Sequence, residues 1–374
     1  MDNRRRRRCL HAMTNCSNQQ SLREKYLHRG TIPAFQARED MRVVDLVESF
    51  ASAGAFNAGR LAEASKLFLK MAEDDATICL TLSGALTPTG MGGIMVELME
   101  KGLIDFIIST GANIYHDLHF ALDLPMHRGD FRVNDAELRQ AKIHRIYDMF
   151  LMDEVLVETD HFLQDAVDNG SGHNVMSSAQ LHHVIGKVAL EKSPYPERSF
   201  VARAAKLDLP IFTSSPGDSG VGMALALLKL HGGKVTVDPD LDVLQASSIV
   251  HGSKKNGVIT LGGGSPKNFY MQTQPMLEML LGKPCKGHDY FIQITTDSPQ
   301  WGGLSGATPQ EAISWGKVRK EETRNHTVVY CDATIAAPIL MTYGLAKAGK
   351  RQPKRLYQRF TELVAALKRD AKPL

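Results

Sequence analysis

The segment EAISWGKVRK, residues 311–320, sets Lys317 two residues behind an indole, Trp315. A lysine amine is a reagent only when its surroundings keep it neutral. By type and position alone, Lys317 reads as an ordinary exposed charge. The segment HDLH sets His116 and His119 three residues apart on a helix, the spacing of a metal pair. No third ligand stands at a suitable spacing, so they read as surface histidines and no metal is expected. GGGSPK, residues 262–267, is glycine-rich behind an apolar run. It matches neither the GxGxxG nor the P-loop pattern and reads equally as a tight turn. Asp218 and Asp332 read as helix caps before they read as ligands. Trp301 and Trp315 read as core or pocket-wall residues.

The elements that must hold these groups follow from the local grammar. Thr308 reads as a helix N-cap, Pro309 as the first helical residue, and Glu311 as the closing residue of a capping box. Gly316 reads as the helix stop, which fixes Lys317 just past a short helix. Upstream, apolar runs at residues 76–84, 104–110, 209–215, 257–264, 290–296 and 327–333 are rich in β-branched and aromatic residues. They lack strict alternation, as expected of strands buried on both faces of a parallel sheet. Helical patterns lie between them. Residues 57–74 place Leu61, Ala64, Leu67, Phe68 and Met71 on one stripe. Residues 91–101 and 220–230 play the same part, and residues 135–190 read as a long, mainly helical insertion. The alternation predicts an α/β fold: a doubly wound, mostly parallel sheet with helices on both faces. Ligands then bind at the carboxyl ends of the strands, which carry small residues and isolated carboxylates suited to a nucleotide cofactor.

Composition bounds the function classes. The 374 residues are 43% hydrophobic, enough to bury a sizeable core. Forty-four basic residues nearly balance 41 acidic ones, so no basic field implies nucleic acid as a partner. The cysteines (Cys9, Cys16, Cys79, Cys285, Cys331) form no CxxC pair, which suits a reducing cytosol. No apolar run reaches the roughly 20 residues of a membrane span. Arg4 to Arg8 are five arginines with no apolar stretch behind them, so they are not a secretory signal. Residues 1–40 read as a basic and polar tail, with Met13 an alternative start, and residues 41–374 as one catalytic domain.

The order of the pieces is more telling than any one of them. SGALTPTG, STGANIYHDL, FTSSPGDSG, LGGGSPKNF, SGATPQEAISWGKV and VYCDAT, in that sequence, resemble the deoxyhypusine synthase family from about Met41 to about Ala346. The resemblance implies a Rossmann-like α/β subunit, tightly bound NAD and a homotetramer with active sites between paired subunits. It implies that Lys317 is the covalent residue. It places Ser83, Gly84, Ala85, Leu86, Thr110, Gly111, Ala112, Asp218, Thr296, Asp297, Asp332 and Ala333 at the cofactor. Glu311 would accept from a substrate ammonium, beside Trp315, Trp301, His116 and Asn268.

The departures bear on the substrate. Two adjacent family glutamates are here Tyr115 and His116, followed by Asp117. A family aspartate is Met223, another is Leu304, and the family's histidine is Asn268. Each lost charge-assisted hydrogen bond is worth about 1.5–3 kcal/mol. The pattern resembles the family's synthase-like branch. It implies a cytoplasmic aminobutyl transferase taking spermidine as donor, with putrescine as acceptor to give homospermidine. A lysine on a translation initiation factor is the alternative acceptor, and a silent NAD-binding protein is the alternative of another class.

Overall fold

The computed structural model describes residues 19–28, 30–170, 175–320 and 323–373. The arginine run, Met13, Cys9 and Cys16 lie outside them. The main sheet has six strands: β1 (Thr77–Leu82), β2 (Phe106–Ser109), β3 (Ile211–Thr213), β4 (Asn256–Leu261), β5 (Tyr290–Thr295) and β6 (His326–Tyr330). Their order is β6-β5-β4-β1-β2-β3, and every pairing is parallel. This is the doubly wound order, with its switch point between β1 and β4. Each of the six apolar runs in the sequence is one of these strands.

Burial explains why the runs do not alternate. Every residue of β1, β2, β4 and β5 is buried. Ile78, Leu80 and Leu82 join Phe68 and Leu340 in the core on one face. Cys79, Phe106, Ile108, Val258 and Phe291 join Tyr270 and Phe360 on the other. Only the edge strand β6 keeps an alternating pattern. The stripe of helix Phe56–Glu73 is buried throughout, from Leu61 to Met71. Helix Ala333–Lys347 packs closely on it, since a Cβ on Gly344 would come within 2.4 Å of the Phe68 ring.

The insertion differs from expectation. It holds helices Asp153–Gly170 and Ser178–Lys192, but also an antiparallel hairpin, Ile143–Ile146 with Met149–Met152, extended by His127–Arg128. The hairpin turns at Tyr147, whose φ is +55°. No glycine or Asn-Gly pair marks that turn, so the sequence lacks the usual hairpin signal. No helix among the described residues is long and apolar enough to cross a membrane.

Phe68 is 1% exposed between the sheet and helix Ala333–Lys347. Phe68→Ala is expected to lower the unfolding free energy by about 3–5 kcal/mol. Urea denaturation of the two proteins measures it, and an unchanged midpoint would contradict this packing.

Candidate active site

Helix Pro309–Ser314 opens as its sequence demands. The Glu311 N–H donates to Thr308 Oγ1 at 3.2 Å, and Pro309 fills the first position. Only this half of the capping box forms, so the Glu311 carboxylate is left to line a cavity. The helix ends on Gly316 at φ +65°. Gly316 N–H donates to Ile313 O and Lys317 N–H to Ala312 O, both at 3.0 Å. This double closure needs a residue at positive φ, which only glycine adopts without strain.

The chain is held again one residue on. His288 N–H donates to Lys317 O at 2.9 Å, and Arg319 N–H to His288 O at 3.3 Å. His288 is itself fully buried, stacked on Tyr270 with ring centroids 4.1 Å apart. Its Nδ1 meets Asn256 Oδ1 at 2.6 Å, and burial pushes its pKa down to about 3. The backbone of Lys317 is thus fixed on both sides before its side chain begins.

That side chain is half-buried. Lys317 Nζ donates to Asn268 Oδ1 at 3.1 Å and lies 5.5 Å from the centre of the Trp315 ring. Burial holds its pKa below the usual lysine range, and Glu311 opposes that shift. The cavity beside it, about 160 Å³, is walled by Lys267, Asn268, Leu304, Glu311, Trp315 and Lys317. Its partly desolvated amine, facing a carboxylate, can act as a nucleophile once neutral.

Lys267 is the functional residue that the sequence reading passed over. It is 5% exposed and donates to Gln293 Oε1 (3.0 Å), Leu304 O (3.1 Å) and Ala307 O (2.6 Å). Burial pushes its pKa down to about 8. A lysine closing the GGGSPK turn was the available signal.

The tryptophans are not core residues. Trp315 is 63% exposed at the cavity wall, whereas Trp301 is 69% exposed and does not line it. The histidine pair is not at the surface either. His119 is fully buried, with His116 Nδ1 3.0 Å from its Nε2 and Thr159 Oγ1 2.9 Å from its Nδ1. Burial pushes their pKa values down to about 4 and about 3. Helices Gly111–Ala121 and Asp153–Gly170 enclose them, which periodicity on one helix did not reveal. Asp117 supplies no anion to a ligand. It is buried and accepts from Ser199 Oγ and the Phe200 and Val201 N–H groups, capping helix Phe200–Lys206. Among the described residues, no group of three or more His, Cys, Asp or Glu is placed to hold a metal.

The residues assigned to a cofactor lie at the carboxyl edge of the sheet. Ser83 bridges the switch point: its Oγ accepts from Gly263 N–H at 2.8 Å and donates to Leu261 O at 3.2 Å. Gly84 follows at φ +80°, and a Cβ there would meet nothing within 4 Å. Ala85 is exposed, and the buried Leu86 donates its N–H to Asn113 Oδ1. Thr110 leads into helix Gly111–Ala121 without a side-chain cap, and Ala112 is exposed in its first turn. Thr296 and Asp297 follow β5. Asp332 caps helix Ala333–Lys347, its Oδ1 accepting from Thr334 N–H at 2.7 Å. Asp218 is not a cap; Ser219 caps helix Gly220–Leu230 instead. Open glycine backbone, an uncapped helix N-terminus and carboxylates at strand ends fit a dinucleotide.

An amine-specific reagent should label Lys317 faster as pH rises, because only the neutral amine reacts. The midpoint is expected below the ordinary lysine value of about 10.4. Glu311→Gln removes the anion that raises it, so the midpoint should move lower still. Peptide mass spectrometry across pH reads both, and an upward move in that variant would contradict the geometry.

The deoxyhypusine synthase family model matches residues 45–344. The chain is 42% identical over 345 residues to a deoxyhypusine synthase-like protein of Cyanothece sp., covering 88% of this chain and 86% of that one. It is 37% identical over 303 residues to a Methanosarcina mazei protein assigned to the deoxyhypusine synthases, covering 81% and 86%. A solved Entamoeba histolytica structure with that same assignment shares the fold at a TM-score of 0.57 and 16% identity. The match covers 86% of this chain and 99% of that one. On these matches the chain belongs to the deoxyhypusine synthase family.

Proposed function

We propose that the protein is an NAD-dependent transferase that moves an aminobutyl group from spermidine to a small amine, with putrescine as acceptor and homospermidine as product. The observation that carries this reading is Lys317: half-buried, fixed by its backbone on both sides, and with its pKa lowered beside Glu311. Glu311 receives one ammonium of the polyamine, and Trp315 covers the aliphatic chain. NAD at the carboxyl edge of the sheet supplies a hydride acceptor that returns the hydride at the end. The donor's secondary amine is oxidised to an imine, and Lys317 Nζ attacks the imine carbon. Diaminopropane leaves, and the aminobutyl group stays on Lys317 as an imine. The acceptor amine then displaces Lys317, and reduction of the new imine leaves net redox unchanged.

Asn268 favours a small acceptor over a protein lysine. It stands where the family has a histidine, and its amide cannot take a proton. A free diamine can shed its proton before it enters. Leu304 and Met223, 50% and 67% exposed, stand where the family has carboxylates, so fewer anions clamp the substrate. The exposure of Trp315, Leu304 and nearby Trp301 supports a homotetramer whose sites another subunit completes. The reading places the enzyme in the cytoplasm, with no metal and no nucleic acid.

Borohydride added during turnover is expected to trap an adduct on Lys317, and Lys317→Ala to abolish transfer. An unchanged rate in that variant would end the proposal. Labelled spermidine offered to putrescine or to a translation initiation factor chooses the acceptor, and label mainly on the factor would select the deoxyhypusine synthase reaction. Asp332→Ala is expected to weaken NAD binding by about 1–3 kcal/mol. It should also cost about 1 kcal/mol of stability through the lost cap. Asp332→Asn keeps the capping oxygen, so calorimetry of both variants separates the two effects. Equal NAD affinity in all three proteins would remove Asp332 from the cofactor site.

A further inference from the structure

A second cavity, about 360 Å³, lies between helices Pro239–His251 and Gly264–Leu281. Two features set it apart. No ionisable side chain lines it: its walls are Val243, Phe269, Pro275, Met276 and Met279, with amides and hydroxyls between them. Two of those hydroxyls, Ser214 Oγ and Ser247 Oγ, are buried without a hydrogen-bond partner, and Ser247 is fully inaccessible. Both oxygens are closed off from the cavity, so the polar partner it offers an occupant is the Asn268 amide.

Asn268 belongs to the walls of both cavities. Its Oδ1 is taken by Lys317 Nζ, which leaves its NH₂ group to donate elsewhere. An occupant of the second cavity therefore sits one side chain away from Lys317. The chemistry of the walls selects that occupant. A protonated amine would find no carboxylate there and would be penalised by desolvation. A neutral alkyl amine fits: its lone pair accepts from the Asn268 NH₂ group, and its chain lies on methionine and phenylalanine.

We propose that this cavity holds the acceptor amine in its free-base form, next to the imine on Lys317. The proposal rests on the transferase reading above. The step balances without a further reagent. The acceptor nitrogen forms a bond to the imine carbon, the bond from that carbon to Lys317 Nζ breaks, and the two acceptor hydrogens end on Lys317 as its free amine. No carbon is oxidised or reduced.

The test separates two half-reactions in the full chain supplied with NAD and spermidine. Borohydride trapping reads the adduct on Lys317, and amine mass analysis reads product against putrescine concentration. Ser247→Leu fills the cavity. Met279→Lys places an ammonium at its mouth from a side chain 79% exposed, where a lysine displaces no buried packing. Both variants should form the adduct as the wild type does while the putrescine KM rises by about tenfold or more, as expected from losing a hydrogen-bonded, desolvated site. A wild-type putrescine KM in Met279→Lys, with the adduct intact, overturns the proposal. Absence of any adduct in the wild type instead overturns the transferase reading beneath it.

Discussion

The buried ammonium of Lys267 is the constraint on which the site depends. It leaves helix Gly264–Leu281 and donates to three acceptors: the amide of Gln293 on β5 and the carbonyls of Leu304 and Ala307. One cation so ties a helix, a central strand and the loop that leads into helix Pro309–Ser314. Removing it would take the Lys267 donor from the Ala307 carbonyl and the Gln293 amide oxygen and leave Leu304 O only the Ala307 N–H, and the loop would lose its anchor. The next residue along, Asn268, then meets Lys317. The position of the Lys317 amine is therefore set from two directions: by its own backbone, through Gly316 and His288, and by the helix that carries Lys267.

Burial acts more strongly on Lys267 than on Lys317, and Glu311 opposes it at both. Lys267 has three neutral acceptors that stabilise its charged form, and desolvation brings its pKa only to about 8. Lys317 has one amide acceptor and a carboxylate in the same cavity, and it is only half-buried. Its amine stays open to the cavity, where a substrate could meet it, while burial lowers its pKa and Glu311 opposes that shift. A lysine buried among fixed acceptors suits structure, while one at the cavity edge suits chemistry.

The strands were legible from the sequence because burial on both faces leaves short apolar runs, rich in β-branched and aromatic residues and closed by small or acidic residues. The short helix before Lys317 was legible too, since Thr308, Pro309 and Gly316 act locally. What failed was whatever depended on a distant partner. His116 and His119 looked like surface groups because helix Asp153–Gly170, some forty residues on, closes over them. Asp117 sits in the segment of the family's glutamates, yet its carboxylate is spent on the N-terminus of helix Phe200–Lys206. The hairpin after Gln140 was read as helix because its turn falls on Tyr147-Asp148 rather than on glycine. Lys267 was passed over because two of its three acceptors are main-chain carbonyls and the third lies on a distant strand, which no local pattern announces.

The two cavities that meet at Asn268 divide the polarity that a transfer between amines needs. The cavity at Lys317 carries Glu311 and so can hold a cationic end of the donor. The other carries only hydroxyls, amides and apolar groups, and disfavours any charge. A single site cannot do both, since a carboxylate that binds an ammonium also keeps it protonated and unreactive. A histidine at position 268 could ease that conflict by accepting a proton. An asparagine cannot, but its amide offers an acceptor to one side and donors to the other. With that residue in the shared wall, selection of the neutral amine falls to desolvation in the second cavity rather than to a base in the first.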